Sequence, residues 1–128
     1  MASKFKKIAQ KFNLKLIILF GSLAKNIANT YSDADIAVLQ KKKLSLKNEL
    51  LLRKEFFNIF KKEIDLVFLQ SLGPLMLGQI AKDGKLLYGD EKEFKNFKIY
   101  AAKTRIDFEP YFKLQEKLIK KQLLKKYA

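Results

Sequence analysis

The residues best suited to chemistry are two carboxylates, Asp33 and Asp35, which open an apolar run and are separated by ten residues from a Gly21-Ser22 pair. If that run is a strand, side chains at positions i and i+2 lie on the same face of the sheet. Neighbouring carboxylates repel each other, and a bound cation removes that cost. Gly21 lets backbone N–H groups approach a phosphate closely, and Ser22 adds a hydroxyl. The spacing therefore predicts a metal-dependent nucleotide site.

A third carboxylate, Asp65, lies in the apolar segment 63–69, which we predict to be another strand. If the strands are neighbours, then Asp33, Asp35 and Asp65 converge at one end of the sheet. Three oxygen ligands suit Mg²⁺, and a pair of such ions can activate an attacking oxygen and stabilise a leaving pyrophosphate. Lys25, one turn after the Gly-Ser pair, can reach a β- or γ-phosphate, and Asp65 can also act as a general base.

The composition narrows the chemistry that the chain can perform. It has 128 residues, enough for one domain with a proper core, and it contains no Cys and no His. Thiol nucleophiles, disulfides, Ser-His-Asp triads and Cys/His zinc sites are therefore excluded. Catalysis has to use Asp, Glu, Lys, Tyr or Ser.

The charge indicates the kind of partner. Lys and Arg number 27 against 13 Asp and Glu, a formal net charge of +14. This favours a nucleotide, a nucleic acid or an acidic protein surface, although a solvated lysine coat would explain most of the lysines equally well. Arg53 and Arg105 are the only arginines, which disfavours sequence-specific DNA readout. Without a membrane-length apolar run or a signal peptide, we expect a cytoplasmic protein with no membrane partner.

Periodicity predicts the elements that must position these residues. The predicted strands cover 14–20, 33–39, 63–69 and 85–88. The predicted helices cover 3–12, 22–28, 45–62 and 71–82, with a loop at 29–32, a surface turn at 41–43 and a tight turn at Gly84. The apolar face of the helix at 45–62 is expected to comprise Leu46, Leu50, Leu51, Phe56, Phe57, Ile59 and Phe60. This order predicts an α+β domain with a small mixed sheet flanked by helices, and it leaves the parallel or antiparallel pairing open.

The end of the chain is predicted to be helical from Asp90, which caps the region. Pro110 is expected to divide it into two helices, about 90–107 and 109–126, because proline lacks the backbone N–H that a helix interior needs. After Pro110, apolar residues follow one helical stripe between lysines. The stripe comprises Tyr111, Leu114, Leu118, Leu123 and Tyr127.

The pattern Gly21-Ser22, ten residues, then Asp33-Ala34-Asp35 resembles the signature of the polymerase-beta-like nucleotidyltransferase superfamily. Residues 63–67 (Glu-Ile-Asp-Leu-Val) and 80–88, together with the small size, are similar to the minimal nucleotidyltransferases. These are the antitoxin partners of HEPN-domain toxins in bacteria and archaea. The chain departs from the family at Lys25-Asn26, where Arg-Gly is frequent, and Lys keeps the charge but loses the fork geometry of Arg.

The resemblance implies a nucleotidyltransferase fold and transfer of AMP from ATP to a tyrosine hydroxyl of a cognate HEPN ribonuclease toxin, which neutralises the toxin. It implies that Asp33 and Asp35 bind Mg²⁺, with two ions expected, and that Asp65 completes the site and acts as the base. Gly21 and Ser22 would hold the triphosphate. The implied partners are ATP and the toxin, in a hetero-oligomer.

The resemblance covers roughly residues 5–108, and we accordingly expect a nucleotidyltransferase domain at 1–108. Residues 109–128 are expected to form a basic amphipathic helix that packs on this domain or on a partner. We do not expect direct nucleic-acid binding, because the helix lacks the basic and aromatic interleaving of a stacking platform.

Three other functions stay open on the sequence. The chain could be an antitoxin that neutralises by binding alone, although such a protein would have no reason to keep clustered carboxylates. It could transfer a nucleotide to a small molecule such as an aminoglycoside, but those enzymes usually add a substrate-binding domain. A nucleic-acid-binding module is supported by the charge alone.

Overall fold

The computed structural model describes residues 2–25 and 33–127, with side chains described through residue 125. Its centre is a four-stranded sheet made of β1 (Leu14–Phe20), β2 (Ala34–Gln40), β3 (Ile64–Phe68) and β4 (Lys85–Tyr88). The strand order is β3-β2-β1-β4; β2 and β3 are parallel, whereas β1 is antiparallel to both β2 and β4. The predicted small mixed sheet is therefore confirmed, and β4 lies at one of its edges.

Five helices surround the sheet in the described part of the chain. They are α1 (Ala2–Phe12), α2 (Gly21–Ala24), α3 (Leu46–Phe60), α4 (Pro74–Asp83) and α5 (Glu91–Tyr127). A short 3₁₀ turn at Leu69–Ser71 precedes α4, which begins at Pro74 rather than at the predicted residue 71. The last residues of the helix predicted at 22–28 and the loop predicted at 29–32 fall in 26–32, outside the described residues.

Local chemistry explains where several helices begin and end. The hydroxyl of Ser45 accepts a hydrogen bond from the Asn48 backbone N–H (3.2 Å), so Ser45 is the N-cap of α3. Lys61 closes α3 in the left-handed conformation, and its N–H donates to the Phe57 carbonyl. The Asp90 carboxylate accepts a hydrogen bond from the backbone N–H of Lys92 (3.1 Å), so Asp90 caps the start of α5 as predicted.

The sheet is covered on both faces, and each face has its own core. Alternate strand residues such as Ile36 and Val38 pack with α1 and α3, whereas Ala37 packs with α4 and α5. The first core is formed by Phe5, Ile8, Ala9, Phe12, Leu14, Ile17, Ile36, Val38, Leu52, Phe56 and Leu66. The second is formed by Leu16, Ile18, Phe20, Ala37, Leu69, Leu77, Ile80, Phe97 and Ala101. Burial of these side chains is the main favourable contribution to folding.

The predicted apolar face of α3 is wrong in part. Phe56 is fully buried as expected, but Leu46 is 73% exposed and Leu50 58% exposed, and Phe57 also faces outward. Leu52, which the prediction omitted, is fully buried one turn before Phe56. Because α3 carries apolar side chains on most of its circumference, periodicity alone does not say which side meets the sheet.

The predicted division of the C-terminal region into two helices is also wrong, because α5 continues through Pro110 without a break. Proline removes the hydrogen bond to the carbonyl four residues earlier, that of Ile106. Both residues are exposed, so water can satisfy this carbonyl. None of the helices in the described part of the chain combines the length and hydropathy that a bilayer crossing requires.

Candidate active site

One row of residues across the sheet brings the predicted carboxylates together. Phe20, the last residue of β1, pairs with Asp35 on β2, and Asp35 pairs with Asp65 on the parallel strand β3. The Ala34 backbone N–H donates to the Glu63 carbonyl (2.9 Å), which sets this register. Partners in one row direct their side chains to the same face, here the face covered by α4 and α5. The strands of Asp35 and Asp65 are therefore neighbours, which is the condition on which the predicted convergence of their carboxylates depends.

Gly21 follows Phe20 directly and adjoins the carboxylate of Asp35. Its φ is +72°, a left-handed conformation that side chains other than glycine rarely adopt. A Cβ atom built on Gly21 would overlap the Oδ2 atom of Asp35. The glycine is therefore required twice, by its backbone conformation and by the space that the carboxylate occupies. Ser22, the next residue, is half-buried in the single turn of α2.

The pKa of Asp35 is raised above its ordinary value. Partial burial is the largest cause, followed by the charge of Asp65, a side-chain hydrogen bond with Asp65 and the charge of Asp33. Each of these effects makes the ionised form less favourable. Asp65 itself is exposed, so the pair consists of one half-buried and one solvent-facing carboxylate. A cation between them would relieve the repulsion that raises the pKa of Asp35.

Asp33 stands apart from this pair. It lies one residue before β2 begins, it is exposed, and its charge is the smallest of the causes acting on Asp35. Within residues 2–25 and 33–127, no three acidic side chains form a group that could hold one metal ion. The structure thus brings Asp35 and Asp65 together without gathering Asp33 into a three-ligand site. The carboxylate pair still fits a hard cation, because Mg²⁺ characteristically binds one or two carboxylates and takes other ligands from water and substrate phosphates.

Lys25, predicted to reach a phosphate, forms an ion pair with another residue. Its Nζ atom lies 3.1 Å from Oδ2 of Asp83, the last residue of α4. The neighbouring Gly84 N–H donates to the Ile80 carbonyl (2.7 Å) and closes that helix. Asp83 is therefore a residue at the edge of the site that the sequence analysis missed. Nothing in the sequence signals this pairing, because 58 positions separate the two residues and neither belongs to a shared motif.

Most of the chain is similar to proteins of a known family. Residues 3–93 match the model of the family described as polymerase beta, nucleotidyltransferase. A protein adenylyltransferase MntA of Aphanizomenon flos-aquae is 35% identical over 106 residues, which cover 73% of this chain and 71% of that protein. A protein adenylyltransferase MntA of Shewanella oneidensis is 32% identical over 91 residues, which cover 71% of this chain and 63% of that protein.

Solved structures extend the similarity to nearly the whole chain. A chain in the crystal structure of a toxin–antitoxin complex with AMP-PNP has a TM-score of 0.74 at 25% identity, covering 96% of this chain and 98% of its own length. A chain in the structure of a tri-AMPylated Shewanella oneidensis HEPN toxin with its MNT antitoxin has a TM-score of 0.66, also at 25% identity, covering 96% of this chain and 95% of its own length. The fold, including the long C-terminal helix, is therefore shared with chains of such complexes.

Proposed function

The chain belongs to the polymerase beta nucleotidyltransferase family, and we propose that it is an antitoxin that transfers AMP from ATP to a tyrosine hydroxyl of a HEPN-family ribonuclease toxin. The observation that carries the proposal is the packing of Gly21 against Asp35, which in turn faces Asp65 across β2 and β3. A left-handed glycine beside paired carboxylates offers a close backbone approach for phosphates and oxygen ligands for a cation.

Asp35 and Asp65 would hold Mg²⁺, with Asp33 available as a further ligand from the residue before β2. The ion, when bound, offsets the negative charge of the triphosphate and of the developing pyrophosphate. The carboxylates belong to the face of the sheet that α4 and α5 cover, at the end where β1 gives way to Gly21. Backbone groups at Gly21 and the Ser22 hydroxyl hold the triphosphate there, and Lys25 can exchange Asp83 for a phosphate oxygen.

The transfer joins the tyrosine oxygen to the α-phosphorus of ATP, breaks the bond between that phosphorus and the bridging oxygen, and releases pyrophosphate. The hydroxyl proton passes to a carboxylate. Asp65 is the better acceptor, because it is exposed and can meet the side chain of a second protein, whereas Asp35 is half-buried. The two carboxylates thus have different roles. Asp35 holds the cation in position, whereas Asp65 holds the cation and also receives the proton.

The test is an intact-mass measurement on a HEPN toxin that this protein neutralises, after incubation with this protein, ATP and Mg²⁺. An AMP adduct on a tyrosine is expected with the wild-type chain, whereas Asp35→Asn and Asp65→Asn should lower the rate by about a hundredfold or more. Glu91→Gln is the matched control, because Glu91 is exposed and begins α5 just after the opposite edge strand, β4. It should retain the wild-type rate.

The same variants separate catalysis from neutralisation by binding. If Asp35→Asn protects cells from the toxin as fully as the wild-type chain does, binding alone suffices and the catalytic role in neutralisation is wrong. If no adduct forms with any toxin preparation, adenylyl transfer itself is refuted.

A further inference from the structure

The second half of α5 lies beyond the body of the domain. Phe97 and Ala101 are buried in the core under the sheet, and the side chain of Arg105 still lies beside Gly78 of α4. From residue 106 to residue 125, every side chain except that of Phe112 is exposed. At a rise of about 1.5 Å per residue, this part of the helix extends for roughly 30 Å. A helix of this length rarely stands alone in water unless a partner covers it.

The apolar face of this segment continues the face that is buried nearer the sheet. Steps of three or four residues lead from Phe97 and Ala101 to further apolar positions on the same side of the helix. We call these positions the outer stripe, and they are Phe108, Tyr111, Phe112, Leu118, Ile119 and Leu123. The Phe108 and Phe112 rings are already in contact, with centroids 6.3 Å apart, and Gln115 donates to the Tyr111 hydroxyl (2.8 Å). The outer stripe is therefore an ordered apolar surface.

We propose that the outer stripe is the surface by which this chain docks onto its HEPN toxin, in an apolar groove with an acidic rim. This inference rests on the proposed function and names the contact surface for that partner. Residues 109–125 carry five lysines and only two glutamates. The lysines occupy the sides and back of the helix, so an acidic rim would meet them while the groove takes up the apolar side chains.

The charge argues against a second copy of the chain as the occupant. Two such helices packed through their outer stripes would bring the flanking lysines, among them Lys121 and Lys125, into mutual repulsion. A nucleic acid is disfavoured because the three rings of the stripe, those of Phe108, Tyr111 and Phe112, already pack against one another. The other positions of the stripe, Leu118, Ile119 and Leu123, are aliphatic and offer no ring for a base to stack on. An acidic protein groove satisfies both the apolar stripe and its lysine border.

The position of α5 gives this docking a consequence for catalysis. The inner half of the helix packs on the same sheet face that carries Asp35 and Asp65. A toxin held on the outer stripe is thereby tethered to the rigid body that carries the carboxylates, which raises the effective concentration of its tyrosine. Loss of docking should therefore raise KM for the toxin and leave KM for ATP unchanged.

The test compares two double variants of the full chain. Leu118→Glu with Ile119→Glu places charges on the outer stripe, whereas Ile106→Glu with Leu124→Glu makes the same changes on the opposite side of the same helix. The four residues are 53%, 57%, 71% and 71% exposed in that order, so neither variant disturbs the core. We expect the stripe variant to bind the toxin at least about a hundredfold more weakly, since central apolar contacts dominate interface affinity. The control should bind within about threefold of wild type, with both melting temperatures and helix contents unchanged.

Three results would overturn the proposal. The first is a stripe variant that binds the toxin as tightly as wild type. The second is light scattering that finds a dimer of the chain alone which only the stripe variant dissociates. The third is a stripe variant that loses affinity for a single-stranded RNA oligonucleotide while keeping the toxin. Adenylyl transfer is tested separately: stripe-dependent binding without any AMP adduct would uphold the docking surface and refute the proposed activity.

Discussion

Replacing Asp65 by asparagine should stabilise the metal-free protein while abolishing its activity. Asp65 and Asp35 face each other on paired strands, and the charge of Asp65 helps to raise the pKa of Asp35. Asparagine has nearly the same shape as aspartate but no charge, so the substitution removes the repulsion with little change in packing. Sites that must hold a cation commonly contain such unfavourable charge pairs when the cation is absent.

The size of this stabilisation follows from the distance between the two carboxylates. At a separation of about 5 Å, typical of neighbouring strands, two unit charges repel by ~3 kcal/mol at an effective dielectric constant of ~20. Since Asp65 is exposed, solvent screening reduces this to about 1 kcal/mol or less. For a domain of this size, ~1 kcal/mol corresponds to a rise in Tm of about 4 °C.

The assay is thermal unfolding at neutral pH in EDTA and again in excess Mg²⁺. Asp65→Asn should melt about 2–4 °C above wild type in EDTA, by the same conversion from free energy to Tm. Mg²⁺ should raise the Tm of wild type more than that of the variant, since only the wild-type chain keeps both carboxylates. Asp107→Asn, an exposed aspartate on α5, is the matched control and should not melt higher, because removing an acidic charge from a chain of net charge +14 brings no relief.

The pH dependence provides a second check. Because the folded-state pKa of Asp35 is raised, the folded protein holds this proton more tightly than the unfolded chain. The stability contributed by the protonated form is fully present below the unfolded pKa and is lost as the pH rises through the raised folded pKa. The gain in stability from Asp65→Asn should therefore vanish at acid pH, where Asp35 is protonated. If the variant is less stable than wild type in EDTA at neutral pH, the charges of Asp35 and Asp65 do not destabilise the folded protein and the prediction is wrong.

Three further substitutions test other parts of the site and fold. Gly21→Ala should lower the free energy of unfolding by about 1–2 kcal/mol for the left-handed backbone alone. The added methyl group should also displace the Asp35 carboxylate and strongly reduce AMP transfer, and a normal transfer rate would contradict the contact between Gly21 and Asp35. Lys25→Ala should raise KM for ATP, whereas Asp83→Asn should lower KM for ATP because it frees the lysine. Steady-state kinetics measures both, and equal effects of the two variants would show that the ion pair does not compete with ATP. Ser45→Ala should lower the free energy of unfolding in urea by about 1 kcal/mol, because it removes the N-cap of α3. The AMP transfer rate should stay unchanged, and a loss of activity at moderate temperature would contradict a purely structural role of Ser45.

Much of the site could be predicted because it lies in short, local patterns. A glycine at the end of an apolar strand and a carboxylate two positions into the next are visible in the sequence, and β1 has the predicted bounds. The predicted partnership of Asp35 with the strand of Asp65 was conditional on those strands being neighbours, which only the structure provides. The metal-ligand roles of Asp33, Asp35 and Asp65 and the phosphate roles of Gly21, Ser22 and Lys25 stay predictions.

The order of the elements, the helix caps and the motif follow from local sequence, because they depend on periodicity and on residues a few positions apart. Tertiary packing decided which side of α3 meets the sheet, the pairing of Lys25 with Asp83, and the continuity of α5 past Pro110. The first two depend on which surfaces meet in the folded chain, and the third depends on solvent access to the carbonyl of Ile106. Local sequence preferences specify neither the meeting of surfaces nor solvent access. The candidate site is therefore visible in the sequence as a motif, but Asp35 and Asp65 become a charge pair only in the folded sheet.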